Sequence, residues 1–472
     1  MTLATDVLAD VWARAGGGPA ALARVTLTGA DPVLPSSFAL GTLAQAAIAA
    51  AGLAASEVHC ARGGAAQSVS VDMRHAGAEV RSERYMRVQI PTSGAPPQMW
   101  DAIAGLYRTR DQRWVRIHTN FAHHRDGFLA LLGCANTREA VQSRLLQWDA
   151  REFEDAAAAA KLVATMTRSP GEWAAHPQGL AVAGLPLLEV TRIGDAPRKP
   201  LPLAARPLTG VRVLDLTRII AGPVAGRTFA AHGADVLNVS CARLPSIGQL
   251  VVDTGRGKRT TALDLDTPTD KETLHALVRD ADIFMQGYRP GGLAARGFSE
   301  DALIAERPGL IVVTLSAYGH AGPWADRAGF DSLTQNANGI NWEEAQTASA
   351  DGHVDRPREL PAQALDHAAG YLLALGAMLA LQKRCQTGGS WRVRTSLAQV
   401  GAWLQSLPRI PGGLKAPDPS AETCADLLET SPSGFGPLTA VRHAAHLSLT
   451  PAHWALPAMP LGTHAPVWLP RA

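Results

Sequence analysis

A doubly wound α/β domain joined to a second, smaller α+β part is the fold class that three observations in this sequence predict. After residue 207, short apolar runs with strand character alternate with helical segments. A proline-rich stretch at 196–206 separates that alternation from a first part of different texture. Residues 36–72 also repeat residues 361–396: Ala39-Leu40-Gly41 aligns with Ala364-Leu365-Asp366, and Gly63-Gly64 with Gly388-Gly389 at the same offset.

Taken in order, the first part holds an Ala-rich helix at 39–56, a short strand from Ser68 to Met73, and a mixed segment containing Trp114 to His118. Beyond the linker, Val211 to Leu216 reads as a strand, Ala221-Gly222-Pro223 as a turn, Val224 to His232 as a helix, and Ala234 to Val239 as the next strand. Ala262 to Leu265 continues the strands. Thr267-Pro268 opens a helix with Leu274, Leu277 and Val278 on one face. Ile283 to Met285 is a strand, Ser299 caps a helix running to Glu306, and Leu310 to Leu315 has the unbroken apolar character of a central parallel strand. This divides the chain into 1–195 (repeat helix and small part), the linker 196–206, the α/β region 207–405, and a tail 406–472 rich in Pro, Gly and Ser that wraps over a formed domain.

Composition excludes several functions. A chain of 472 residues with 46% hydrophobic content supports full cores, and a formal charge of +2 with scattered Lys and Arg gives no footprint for nucleic acid or an anionic membrane. Five widely spaced cysteines without a CxxC pair argue against a disulfide framework or zinc site, which leads to the expectation of reduced, cytoplasmic thiols. No signal peptide is evident, and the apolar stretch 38–55 is built from small residues around Gln45, as in a core helix.

Several motifs have two readings. Gly222 to Gly226 could present amides to a phosphate or form a tight turn, and Gly255 to Arg259 could bind phosphate or be a solvated loop. His118, His123 and His124 lack the spacing of a metal site, so no metal is expected. Ser316 follows a strand, but Thr314 stands where a nucleophile elbow needs glycine. Asp366, at the mouth of an apolar helix and replaced by Gly41 in the other copy, is either a reactive carboxylate or a helix cap. Asp331 positions substrate or closes a turn.

An ordered series of segments resembles the class III CoA-transferases, the group of formyl-CoA transferase, carnitine CoA-transferase and α-methylacyl-CoA racemase. The series comprises Pro207 to Leu216, Ala221-Gly222-Pro223, His232 to Val236, Gly257-Lys258-Arg259, Tyr288-Arg289-Pro290-Gly291, Tyr318 to Pro323, Gly329-Phe330-Asp331 and Asp366. The resemblance implies a Rossmann-like domain with CoA along the strand ends, lined by Ile219, Ile220 and Ala221, with Lys258, Tyr288 and Arg289 at its nucleotide end. It implies Asp366 as the nucleophile, working through an aspartyl anhydride and an aspartyl-CoA thioester, with Asp331 as a positioning group. CoA and acyl-CoA would be substrates rather than tightly bound cofactors, a carboxylic acid the acceptor, and a homodimer the assembly.

The racemase branch has histidine where this chain has Phe330, which favours transfer over racemisation or epimerisation. A CoA-binding pseudoenzyme is the non-catalytic alternative. Ser240 replaces a frequent acidic residue, and Ala295 a basic one, with Arg296 shifted by one. Asp111 to Val115 and Glu172-Trp173-Ala174 resemble the family's small domain but precede the nucleophile helix, as a tandem duplication that lost both outer parts would leave them.

Overall fold

The computed structural model describes residues 3–88, 100–289 and 291–471. Its main sheet has seven strands in the order Arg259–Ala262, Asp235–Ser240, Arg212–Leu216, Ile283–Gln286, Ile311–Ser316, Ser390–Ser396 and Glu189–Gly194. All neighbours are parallel except the last pair. The first six follow the doubly wound order, with the order reversing between Arg212–Leu216 and Ile283–Gln286.

Alternation along the strands assigns the two faces. Val213, Met285 and Val313 pack under the helices Ala221–Ala231 and Ala364–Thr387. Leu214, Phe284 and Val312 pack under Pro268–Arg279 and Glu300–Glu306. Because both faces are covered, the central strand Arg212–Leu216 is buried along its whole length. The edge strand Glu189–Gly194 comes from the N-terminal side of the proline-rich linker.

The N-terminal part contains its own βαβ unit, which periodicity did not bring out. Val25–Thr28 and Val69–Asp72 pair in parallel across the helix Leu40–Ala61, and the tail strand Ala445–Leu447 adds antiparallel to Val69–Asp72. The helices Leu40–Ala61 and Ala364–Thr387 share one core. Both are long and apolar enough to cross a membrane, and both are buried within the protein. The later helix ends at Gly388, whose φ of 70° and a Cβ position only 2.1 Å from the Ala196 carbonyl leave room for glycine alone.

Residues 105–166 form the smaller α+β unit, in which the antiparallel strands Gly105–Arg108, Trp114–Ile117 and Ala164–Met166 back onto three helices through Tyr107, Val115, Phe128 and Phe153. It docks on the helix Asp331–Ala337: Asn336 Nδ2 donates to the Thr165 carbonyl at 2.9 Å, and Thr167 Oγ1 to Asn336 Oδ1 at 2.7 Å.

Some boundaries differ from the sequence reading. The helix expected from Val224 begins at Ala221, so Gly222 and Pro223 lie in its first turn, where proline needs no donor. The strand expected at Ala262 to Leu265 is Arg259–Ala262. The tail carries three short strands and reaches back to the α/β sheet, where Arg259 Nη1 donates to the Val467 carbonyl at 2.6 Å.

Candidate active site

Asp366 is the third residue of the helix Ala364–Thr387, so it is not that helix's cap: Gln363 holds the cap position and makes no side-chain bond there. Asp331 supplies the missing acceptor from another element. Its Oδ2 accepts the Asp366 backbone N–H at 2.9 Å, while Gln335, one turn along the same helix, donates to its Oδ1. Gln335 is held in turn by the Leu360 N–H, which donates to its Oε1 at 3.1 Å.

Asp331 is 1% exposed and Asp366 7%, so both are buried, Asp366 the less completely. Burial pushes Asp331 up to about 6 despite the N–H of Asp366 and the Gln335 amide bonded to it. Asp366 is raised well above the usual carboxylate range by burial, then by the negative charges of Asp331 and Glu83. The two aspartates titrate as a pair, and neighbouring carboxylates in a dry site do not both ionise easily.

The small unit walls this corner with aromatic rings. His118 stacks on Phe330 at 4.0 Å between centroids, Phe121 lies 6.1 Å from Phe330, and His124 meets Phe330 edge-on. Burial, reinforced by Arg116, lowers His118 to about 3; burial, reinforced by His123, lowers His124 to about 4.

A cleft opens beyond the C-terminal ends of Arg212–Leu216 and Asp235–Ser240, lined by Thr217, Arg218, Ile219, Ser240, Cys241 and Lys258 among others. Ile219 has φ 75°, a strained conformation for a β-branched residue. Ile220 is the cap residue of the following helix, and the Ala221 carbonyl lies 2.5 Å from where a Cβ on Gly370 would be. Gly370 is one turn beyond Asp366, so the run from Ile219, which lines the cleft, to Ala221 ends against the helix Ala364–Thr387.

The expected nucleotide contacts are placed unevenly. Lys258 lines the cleft, but its Nζ donates to Asp215 at 2.9 Å and to the Pro223 carbonyl at 2.8 Å. Tyr288 is half-buried beside Arg218, whereas Arg289 is exposed and lines a separate hollow with Lys161 and Arg327. Gly255 to Arg259 is not the solvated loop of the alternative reading: Arg256 is buried on Asp253 and Arg259 pairs with Asp235 at 2.9 Å, while Gly255 and Lys258 line the cleft.

Sequence reasoning missed two acidic residues. Glu83, from the N-terminal part, reaches His367 beside Asp366. Asp31 repeats the role of Asp331 in the earlier copy: its Oδ1 accepts the Gly41 N–H at 2.9 Å and its Oδ2 the Thr42 N–H at 2.8 Å. Gly29-Ala30-Asp31 against Gly329-Phe330-Asp331 was the available signal. The earlier site is also filled: a Cβ on Gly41 would lie 2.5 Å from Asp31 Oδ1, 2.7 Å from Val33 Cγ2 and 2.8 Å from Met73 Sδ.

Known proteins resemble this chain in sequence. An acyl-CoA transferase of Gibberella moniliformis is 31% identical over 324 residues, covering 64% of this chain and 56% of the relative. The acetyl-coenzyme A transferase nodX of Hypoxylon pulicicidum is 30% identical over 333 residues, covering 64% and 54%. Among solved structures, Rv3272 of Mycobacterium tuberculosis matches with a TM-score of 0.39 at 30% identity, over 43% of this chain and 58% of that one. The chain thus spans about half the length of the curated relatives it matches. The model of CoA-transferase family III matches residues 7–200 and 208–423, and the chain belongs to that family.

Proposed function

We propose that this chain moves CoA from an acyl-CoA to a carboxylic acid, with Asp366 as the nucleophile. The observation that carries this reading is the placement of Asp366: a buried carboxylate whose backbone N–H is fixed on Asp331, on the long helix that packs against Ala221–Ala231, the helix following the cleft-lining residues Thr217 to Ile219. The positive end of the helix Ala364–Thr387 favours the ionised form required for attack, against the burial that opposes it.

In the proposed sequence, an Asp366 oxygen attacks the thioester carbonyl, the C–S bond breaks, and CoA leaves as the thiolate with a mixed anhydride behind it. The thiolate attacks the aspartyl carbonyl, releasing the donor acid and forming an aspartyl-CoA thioester. The acceptor carboxylate attacks that thioester, giving a new anhydride. The returning thiolate then takes the acceptor acyl group and regenerates Asp366. Splitting one transfer into exchanges between activated acyl groups keeps every intermediate at comparable energy. Phe330 offers no acid or base at the position where racemisation would require one, and the relatives named above as acyl-CoA and acetyl-coenzyme A transferases agree with transfer.

Incubation with mixed acyl-CoAs followed by hydroxylamine and peptide mass spectrometry tests this. The expected result is a hydroxamate on Asp366 and loss of exchange in Asp366→Ala. An unmodified Asp366 peptide with full exchange in Asp366→Ala would overturn it, and solvent deuterium entering the α-position would point to racemisation.

A further inference from the structure

Glu83 lies in the short helix Ser82–Tyr85, far along the chain from Asp366, yet its carboxylate is buried against the nucleophile helix. Glu83 Oε2 is 3.1 Å from His367 Nε2, and both side chains are at most 3% exposed. Its Oε1 makes no hydrogen bond; the nearest cationic group is Arg84 Nε at 3.8 Å. Gln249 Nε2 holds the Glu83 backbone carbonyl at 2.9 Å.

Neighbouring residues of the same segment fasten it further. Ser82 Oγ donates to Asp253 at 2.7 Å, Arg227 reaches the same carboxylate at 2.9 Å, and the Tyr371 hydroxyl donates to Glu79 at 2.5 Å. Glu79 and Glu83 therefore brace the helix Ala364–Thr387 at Tyr371 and His367, while Ser82 ties the segment to Asp253 and Arg227. A buried carboxylate with one oxygen unbonded is costly, and such cost is tolerated chiefly where the charge has a use.

The charged groups around this corner are Asp331 from the helix Asp331–Ala337, Glu83 and Arg84 from Ser82–Tyr85, and Glu79 from Met73–Glu79. Arg227 and Asp253 come from Ala221–Ala231 and Gly248–Thr254, with His367 and Tyr371 on the nucleophile helix itself. Among the described residues, none forms a cationic ion pair with Asp366. We propose that Glu83 is a positioning residue for the reaction at Asp366: its buried carboxylate, pinned by His367, sets the electrostatic field in which the nucleophile attacks. This rests on the CoA-transfer reading given above. The negative charge of Glu83 strengthens Asp366's hold on its proton, after burial and Asp331, and a more basic carboxylate is a stronger nucleophile.

The test uses the full chain with Glu83→Asp and Glu83→Gln. Two curves are measured against pH: the rate of acyl-CoA exchange, and carbodiimide labelling of the Asp366 peptide, which reads its protonation without turnover. Glu83→Gln is expected to move the acid limb and the labelling midpoint down by about one pH unit. It should also lower kcat several-fold, with little change in KM for the acyl-CoA. Glu83→Asp, which holds the charge one methylene further back, should give an intermediate midpoint. The same midpoint in all three proteins, or a uniform loss of rate with unmoved limbs, would overturn the proposal. If Glu83→Gln does not fold, the step from Glu to Asp decides. If the unmodified protein exchanges no CoA, the transfer reading falls while the labelling series still tests Glu83.

Discussion

The Asp331 carboxylate accepts the Asp366 backbone N–H at 2.9 Å, and the Asp31 carboxylate accepts the Gly41 N–H at the same distance. Each aspartate follows a glycine and one other residue, and each closes the first turn of a long buried helix. The same cap is present in both repeats while the carboxylate on the capped helix stands in one, which on the proposed reading separates structural from chemical roles.

That separation predicts different fates for two matched substitutions. Asp31→Asn weakens a helix cap and should cost about 1 kcal/mol of stability, leaving exchange per folded molecule intact. Asp331→Asn disturbs the amide that orients Asp366, and should lower kcat roughly ten- to a hundredfold with the fold retained. Chemical denaturation beside steady-state kinetics distinguishes the two; equal kinetic losses would deny the asymmetry.

Restoring the missing carboxylate should not restore a second site. In Gly41→Asp the new Cβ meets Asp31 Oδ1, Val33 and Met73 at under 3 Å, and the new charge faces Asp31. Overpacking with like-charge contact should destabilise the protein by about 2 kcal/mol or more. Hydroxylamine trapping of that variant should still count one acyl group per chain.

The parts legible in the sequence were those set by local pattern. Leu310 to Leu315 reads as a central strand because both its faces are covered, and Asp366 drew notice because its repeat carries Gly41. What stayed hidden depends on partners distant in the chain. Glu83 meets His367 across 284 residues, and Lys258 turns inward because Asp215 waits 43 residues away. The tail strands Leu438–Val441 and Ala445–Leu447 lack periodicity of their own, since their pairing is dictated by Arg87–Val88 and Val69–Asp72.

The buried acids should make stability fall as pH rises. Asp331 has a folded value of about 6 and Asp366 is raised further, both above the ordinary carboxylate value, so between about pH 4 and those values the folded state binds more protons than the unfolded chain. Their stabilisation is therefore complete below about pH 4 and is lost as pH rises through the folded values. Asp366→Asn removes one of these groups while keeping its shape. Its unfolding midpoint should exceed that of the unmodified protein by roughly 2–5 °C at pH 8 and converge with it near pH 4. Calorimetry across that range checks the sign, and a gap that widens on acidification would contradict it.

The stack of His118 on Phe330 predicts how the site treats water. On the proposed reading a mixed anhydride on Asp366 hydrolyses if water reaches it, and the rings of His118, Phe121 and Phe330 form an apolar cluster in which Phe330 is next in the chain to Asp331, the acceptor of the Asp366 N–H. Because His118 titrates near 3 and His124 near 4, the wall stays uncharged throughout the neutral range and draws in no counter-ion. Phe330→Ala deletes the ring that both histidines contact, and the smaller residue leaves a gap that water can enter. The ratio of acyl-CoA hydrolysis to CoA transfer should rise about tenfold or more in Phe330→Ala, while Phe330→Leu, which refills most of the volume, should stay near the unmodified ratio. Measuring free acid against transferred CoA in the same reaction gives that ratio directly, and an unchanged value in Phe330→Ala would show that water is excluded by other surfaces.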